Sequence, residues 1–287
     1  MKIVLFIAMF FTASVCMAQT KIITQATIST VTNVVAPEED DMQNMQIQGN
    51  GGGNMFRNFG DGETKSTTYL KGDMVKTVLK NDMGRTAIIR NNATKLTTTL
   101  IEIMGNKRAF YATDEDQEEL RKKADSMMQE RRKKDTTNKV RPVREKPVIE
   151  VGYSDETKKI AGYLCKKAYI VSTNFLGMSD TTIVWFTPDI KFAGFNSTGG
   201  TNSLGIMGNA LGNMDGFDKI DGFIMQYEKN MPRKRRMSVE VTKIETDKEV
   251  KDKEFEIPKD FDVKPMKEMQ NMLGGGRGGN FQMRLGE

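Results

Sequence analysis

Cys165 sits in the stretch Lys158–Val171, KKIAGYLCKKAYIV. A cysteine flanked by lysines invites nucleophilic or redox chemistry, because a nearby cation favours the thiolate. Lys166 and Lys167 follow it directly. Neighbours along a strand point to opposite faces, so at most one of them sits beside the thiol. The 287-residue chain contains no histidine. That removes Ser-His-Asp and Cys-His nucleophile pairs and histidine-based zinc or copper sites. Asp and Glu are plentiful, but no pair stands apart, and Asp114-Glu115-Asp116 reads as a helix start. The expected role of Cys165 is core filling, with a redox or intermolecular role as the alternative.

The first residues decide how many cysteines count. Lys2 precedes the apolar run Ile3–Phe11, and Cys16-Met17-Ala18 places small residues at a cleavage site. Residues 1–18 are expected to be a signal peptide cleaved after Ala18. The apolar run is too short to span a bilayer. Cleavage removes Cys16 and leaves Cys165 without an intramolecular disulfide partner. A lipoprotein signal with Cys16 as acylated first residue is the alternative, and Val15 sits badly where such a signal takes a small residue. The expected location is periplasmic or secreted, ahead of a lipid-anchored outer-membrane form. The formal charge of +5 falls by one with Lys2. This mild excess argues against a nucleic-acid partner.

Strand signals dominate the elements that would position these residues. Lys21–Val35 is rich in Ile, Thr and Val, and Thr67–Lys80 reads as a hairpin around Lys71-Gly72-Asp73. On its second arm Val75, Thr77 and Leu79 share one face, with Lys76 and Lys80 on the other. Arg85–Arg90, Lys95–Met104 and Arg108–Ala112 continue an antiparallel meander. Residues 113–135 form the one convincing helix, capped by Thr113 or Asp114, with acids first and Arg131–Lys134 last. Its apolar stripe is narrow: Leu120, Ala124, Met127 and Met128. After Pro142 and Pro147, strands are expected at Val148–Tyr153, Tyr163–Thr173, Thr181–Thr187, Phe223–Glu228 and Arg236–Ile244. Phe255–Pro258 closes the series, and Met266, Met269, Met272 and Leu273 stripe a short terminal helix.

The expected organisation is a single β domain over residues 19–273, with a disordered Gly/Asn-rich insert at 36–62 and a disordered tail at 274–287. These tracts carry too little apolar surface to offset the entropy of ordering. A phosphate-cradling glycine loop needs a strand before it and a helix after it, and neither tract has both. Ser203–Phe217 is Gly-rich but more apolar, an expected cover for the sheet. The chain carries 21 methionines, whose flexible thioethers suit adaptable apolar surfaces as well as an ordinary core.

Three segments occur in order: KKIAGYLCKKAYIV, TTIVWFTPDI and KDKEFEIPKDF. Together they resemble the exported domain-of-unknown-function 4412 family of Gram-negative envelopes, over roughly Lys65 to Phe261. VWFTPDI followed by LGNMDGF is also similar to an exported family named for a Gly-Leu-Pro-Gly-Leu-Ile motif, from which Asn213–Phe217 departs. Both are allied to the periplasmic lipoprotein carriers LolA and LolB. The resemblance implies a mainly β (α+β) fold: an antiparallel open half-barrel of LolA-like type with one or two covering helices. It implies no catalytic residue and no cofactor. The expected function is non-enzymatic binding or carriage of an apolar ligand, a lipid or acylated peptide. Trp185, Met127, Met207 and Phe217 are the expected ligand-facing residues. A structural envelope protein with a protein partner is the alternative. No transmembrane segment is expected beyond the leader.

Overall fold

A computed structural model describes residues 20–35, 62–81, 84–134, 147–174, 176–193, 216–231 and 235–268. The strands are β1 (Lys21–Ile23), β2 (Gln25–Val35), β3 (Gly62–Lys71), β4 (Met74–Asn81), β5 (Gly84–Asn91), β6 (Leu96–Ile103) and β7 (Asn106–Thr113). Helix α1 (Asp114–Lys134) separates these from β8 (Val148–Ile160), β9 (Tyr163–Thr173), β10 (Ser179–Thr187), β11 (Ile190–Phe192), β12 (Phe223–Met231), β13 (Arg235–Glu245) and β14 (Asp262–Pro265). The expected leader at 1–18, the expected tail at 274–287, the expected insert at 36–62 apart from Gly62, and most of Ser203–Phe217 lie outside the described residues.

The fold is mainly β, as the strand signals imply. One mixed twelve-stranded sheet runs in the order β14-β7-β6-β5-β4-β3-β2-β13-β12-β10-β9-β8. It is open, since its end strands β14 and β8 do not pair with each other. Neighbours are antiparallel except β14, which lies parallel to β7. The expected continuous strand at Lys21–Val35 breaks at Thr24, and β1 leaves the large sheet to pair in parallel with β11.

Two further expectations change. Phe255–Pro258 is not a strand. Asp252–Phe255 is a short 3-10 turn, and Phe255 and Phe261 pack on Val78, Ala87, Ile89, Leu100 and Ala109. The chain crosses the sheet here instead of turning back on a neighbour, so it enters β14 parallel to β7. This crossing also overturns the placement of Lys76 on a polar face. Lys76 is 8% exposed, and its Nζ donates to the Glu254 carbonyl. Burial pulls its pKa below the ordinary lysine value.

In β13 the side-chain alternation changes phase after Val241. Met237 and Val241 are buried, but a bulge between Val241 and Lys243 shifts the phase. Ile244, not Lys243, therefore joins Val241 against Ile28 and Ala26.

Helix α1 begins where its caps predict. Thr113 Oγ1 accepts from the Asp116 backbone N–H at 3.1 Å, and Asp116 Oδ2 accepts from the Thr113 N–H at 3.1 Å. Arg90 on β5 forks onto both Asp114 oxygens at 2.5 and 2.9 Å. Leu120 is buried, while Met127 is 62% exposed. The Arg90 hydrogen bond holds the Asp114 carboxyl below its ordinary value. Such a contribution is full above the ordinary aspartate value of 3.8 and is lost as pH falls through the lower folded value. Arg90→Ala is expected to cost about 1 kcal/mol, since the pair is partly solvated. In a pH series of urea melts, the wild-type advantage should fade in acid. An advantage that is constant with pH would contradict it.

Candidate functional site

Strands β8, β9, β10 and β12 put different chemistry on their two faces. Cross-strand register sets which residues share a face. Val184 lies opposite Ala168 and Tyr227, and Phe186 opposite Ile224. On β8, Val151 lies opposite Ile170 and Tyr153 opposite Ala168. These residues form an apolar floor in which Ala168, Ile170, Val184, Phe186 and Ile224 are buried.

Residues 216–220 cover that floor. Phe217 meets Tyr227 edge to face at 5.1 Å between ring centroids, and Ile220 packs beside it. Burial pushes the Tyr227 phenol pKa up. Two polar contacts hold the cover at the sheet edge. Lys219 Nζ donates to the Ile149 carbonyl at 2.7 Å, and Tyr153 Oη donates to the Lys219 carbonyl at 3.3 Å. Gly216 starts the cover with a φ of 93°. A Cβ there would lie 2.6 Å from Ile149 Cγ2 and 2.7 Å from Ile170 Cγ2. Only glycine allows both that backbone turn and that approach.

The opposite face joins an apolar cluster around Cys165 to a pair of lysines at Trp185. Trp185 lies opposite Lys167 and Gln226, and Lys158 opposite Cys165. Cys165 and Lys167 are two residues apart on β9, so all of these side chains leave one face. Lys158 Nζ stands 4.2 Å from the Trp185 ring centroid, and Lys167 Nζ 5.7 Å from it. Lys158 Nζ also donates to Gln226 Oε1. Lys167 pairs with Glu156 at 2.8 Å, chiefly raising the lysine pKa and lowering that of the glutamate. Glu156 reaches it from the β8 bulge between Ser154 and Thr157.

Cys165 is 0% exposed, packed with Ile160, Ile190, Phe192 and Met225. Burial pushes its thiol up to about 11. The desolvation outweighs the nearby Lys158 charge, which acts the other way. This is the environment of an inert core thiol rather than a thiolate nucleophile. Among the described residues, no cluster of three Asp, Glu or Cys side chains converges as a metal site. No described helix is long and apolar enough to cross a membrane.

The four residues expected to face a ligand do not meet. Phe217 lies on the apolar floor and Trp185 on the opposite face, so one small ligand cannot touch both. Met127 is on α1, exposed. Met207 lies outside the described residues. Sequence reasoning missed the cover's clamps, Tyr153 and Lys219, and the two lysines around Trp185. A usable signal existed for the lysines. A hairpin turning at Ala161-Gly162 places Lys158 across from Cys165, two positions from Lys167.

Two solved structures of PNGF-II, in P21 and C2 crystal forms, resemble the chain at 14% and 13% identity, with TM-scores of 0.36 and 0.37. The matches cover 88% and 87% of this chain and 33% of each of those chains, so the chain spans about a third of their length. No curated protein matches it. Residues 54–261 match the model of the domain of unknown function DUF4412, most of the length described above, and the chain belongs to that family.

Proposed function

We propose that this is a non-enzymatic, exported envelope protein that binds the acyl chain of a lipid or acylated peptide on the apolar floor of β8, β9, β10 and β12, in a groove of LolA-like type. The observation that carries the reading is the buried apolar floor itself, onto which Phe217 and Ile220 pack. Phe217 and Ile220 are the only side chains of residues 216–220 that pack into the apolar cluster. Each buried methylene of an acyl chain contributes about 0.8 kcal/mol, so a long chain outweighs two side chains. The leader-like residues 1–18 support export.

The test is titration of the protein with a neutral monoacylglycerol below its critical micelle concentration. Trp185, the single tryptophan, lies between Val184 and Phe186 of the floor and reports the event. Its emission should shift and the melting temperature should rise. Because the chain displaces Phe217, Phe217→Ala is expected to bind about tenfold more tightly. No change in emission and no shift in melting temperature would refute the reading.

The alternative is a structural envelope protein with a protein partner. One observation favours it: β8 is a thirteen-residue edge strand that exposes Val148 at 63% and Tyr153 at 59%. Native mass spectrometry of protein from its own envelope separates the two, by copurifying lipid or by a stoichiometric partner.

A further inference from the structure

We infer that the Lys158–Trp185–Lys167 cluster is a second binding site, selective for an anionic phosphate group, on the face opposite the proposed acyl floor. Two ammonium groups approach one indole ring, at 4.2 and 5.7 Å from its centroid. Both are carried by the β8–β9 hairpin and so reach the ring from the same side of β10. The charges at this spot do not cancel. Lys167 has a carboxylate partner in Glu156. The partners of Lys158 are both neutral: the Trp185 ring and Gln226 Oε1. Among the described residues no carboxylate forms an ion pair with Lys158.

Lys158, Lys167 and Glu156 sum to one positive charge, the complement of a phosphodiester or a singly ionised phosphate, while Glu240 and Glu228 stand on the same face further along β13 and β12. Gln226 adds two amide N–H donors on the same face once its oxygen is occupied by Lys158. The Lys167 side chain is 17% exposed and Trp185 is partly buried, so an anion here is screened less than at an open surface. Charge-assisted hydrogen bonds from two ammonium groups are strong contacts for phosphate oxygens.

The phosphate could belong to a lipid headgroup or to a soluble compound, and the experiment has an arm for each. Trp185 fluorescence of the full chain is followed during titration with inorganic phosphate, with chloride at matched ionic strength, and with vesicles of phosphatidylglycerol or phosphatidylcholine. A saturable change with inorganic phosphate assigns a soluble ligand. A change with phosphatidylglycerol but not phosphatidylcholine vesicles, and none with inorganic phosphate, assigns a headgroup. In either case Lys158→Gln should weaken binding by about tenfold. Lys159→Gln, an exposed neighbour on the other face opposite Leu164, should leave it unchanged. Lys167→Gln is the second charge variant, with the same loss expected. No saturable response to either probe, an equal response to chloride, or wild-type affinity in whichever lysine variant keeps the wild-type circular dichroism spectrum would overturn the assignment. Failure of the monoacylglycerol titration bears on the acyl floor alone, because that probe carries no charge.

Discussion

Gly84→Ala is expected to lose about 3 kcal/mol of stability, because the new methyl has nowhere to go. A Cβ on Gly84 would stand 2.2 Å from the Glu102 carbonyl oxygen, 3.2 Å from its carbonyl carbon and 3.3 Å from Ile103 Cα. These are backbone atoms of the neighbouring strand β6, which no rotamer change can move aside. Relief requires β5 to separate from β6 where Gly84 lies opposite Ile103. Both strands carry the inner residues of the meander, Ala87, Ile89 and Leu100, so the loss is felt across that cluster. Urea denaturation of the purified variant measures it. A midpoint within experimental scatter of wild type would show that the β5–β6 pairing yields at this position.

The second large effect is alkaline. The Cys165 thiol ordinarily ionises near 9.0, and burial in the fold raises it to about 11. The folded state therefore holds the proton more tightly than the unfolded chain. The stability linked to that proton is complete below pH 9.0 and is lost as pH rises toward 11. A two-unit shift corresponds to about 3 kcal/mol. Tyrosines and lysines titrate in the same range, so the quantity to measure is the difference between wild type and Cys165→Ala, each normalised to its own stability at neutral pH. The wild type should lose about 2 kcal/mol more between pH 9.0 and 11, approaching the full value only above that range. Equal pH profiles would mean that the thiol ionises in the fold as it does in water. The same burial makes alkylation by a maleimide slow until denaturant is added, and rapid labelling of the native protein would contradict the packed environment.

Much of the local structure was legible because strand alternation and helix caps are written in neighbouring residues. The Tyr163–Thr173 strand, the hairpin at Lys71–Asp73 and the Thr113 cap each rest on interactions within a few positions. Lys76 shows where such reading stops. Its neighbours place it across the strand from Val75 and Thr77, and local alternation makes that a solvated face. Residues 252–255, far along the chain, lie over it and bury it. Phe255 illustrates the same limit from the other side. Its flanking residues read as a strand, yet it serves as a packing anchor for Val78 and Ile89.

The candidate sites divide similarly. Sequence marked Trp185 and Phe217 as notable but could not assign them to faces, because the cover's path over β8 and β9 depends on contacts between segments far apart in the chain. By itself, the sequence determined a histidine-free, strand-rich chain with one solvated helix and a cysteine suited to a core. Those features follow from composition and from periods of two and 3.6 residues. Only the tertiary structure decided that β14 enters in parallel, that Lys76 is buried, that Phe217 and Trp185 are separated by the sheet, and that two lysines converge on one indole ring. Each of these depends on long-range register, in which a shift of one residue reverses every side chain; the local hairpin brings Lys158 near Lys167 but does not bring either to Trp185.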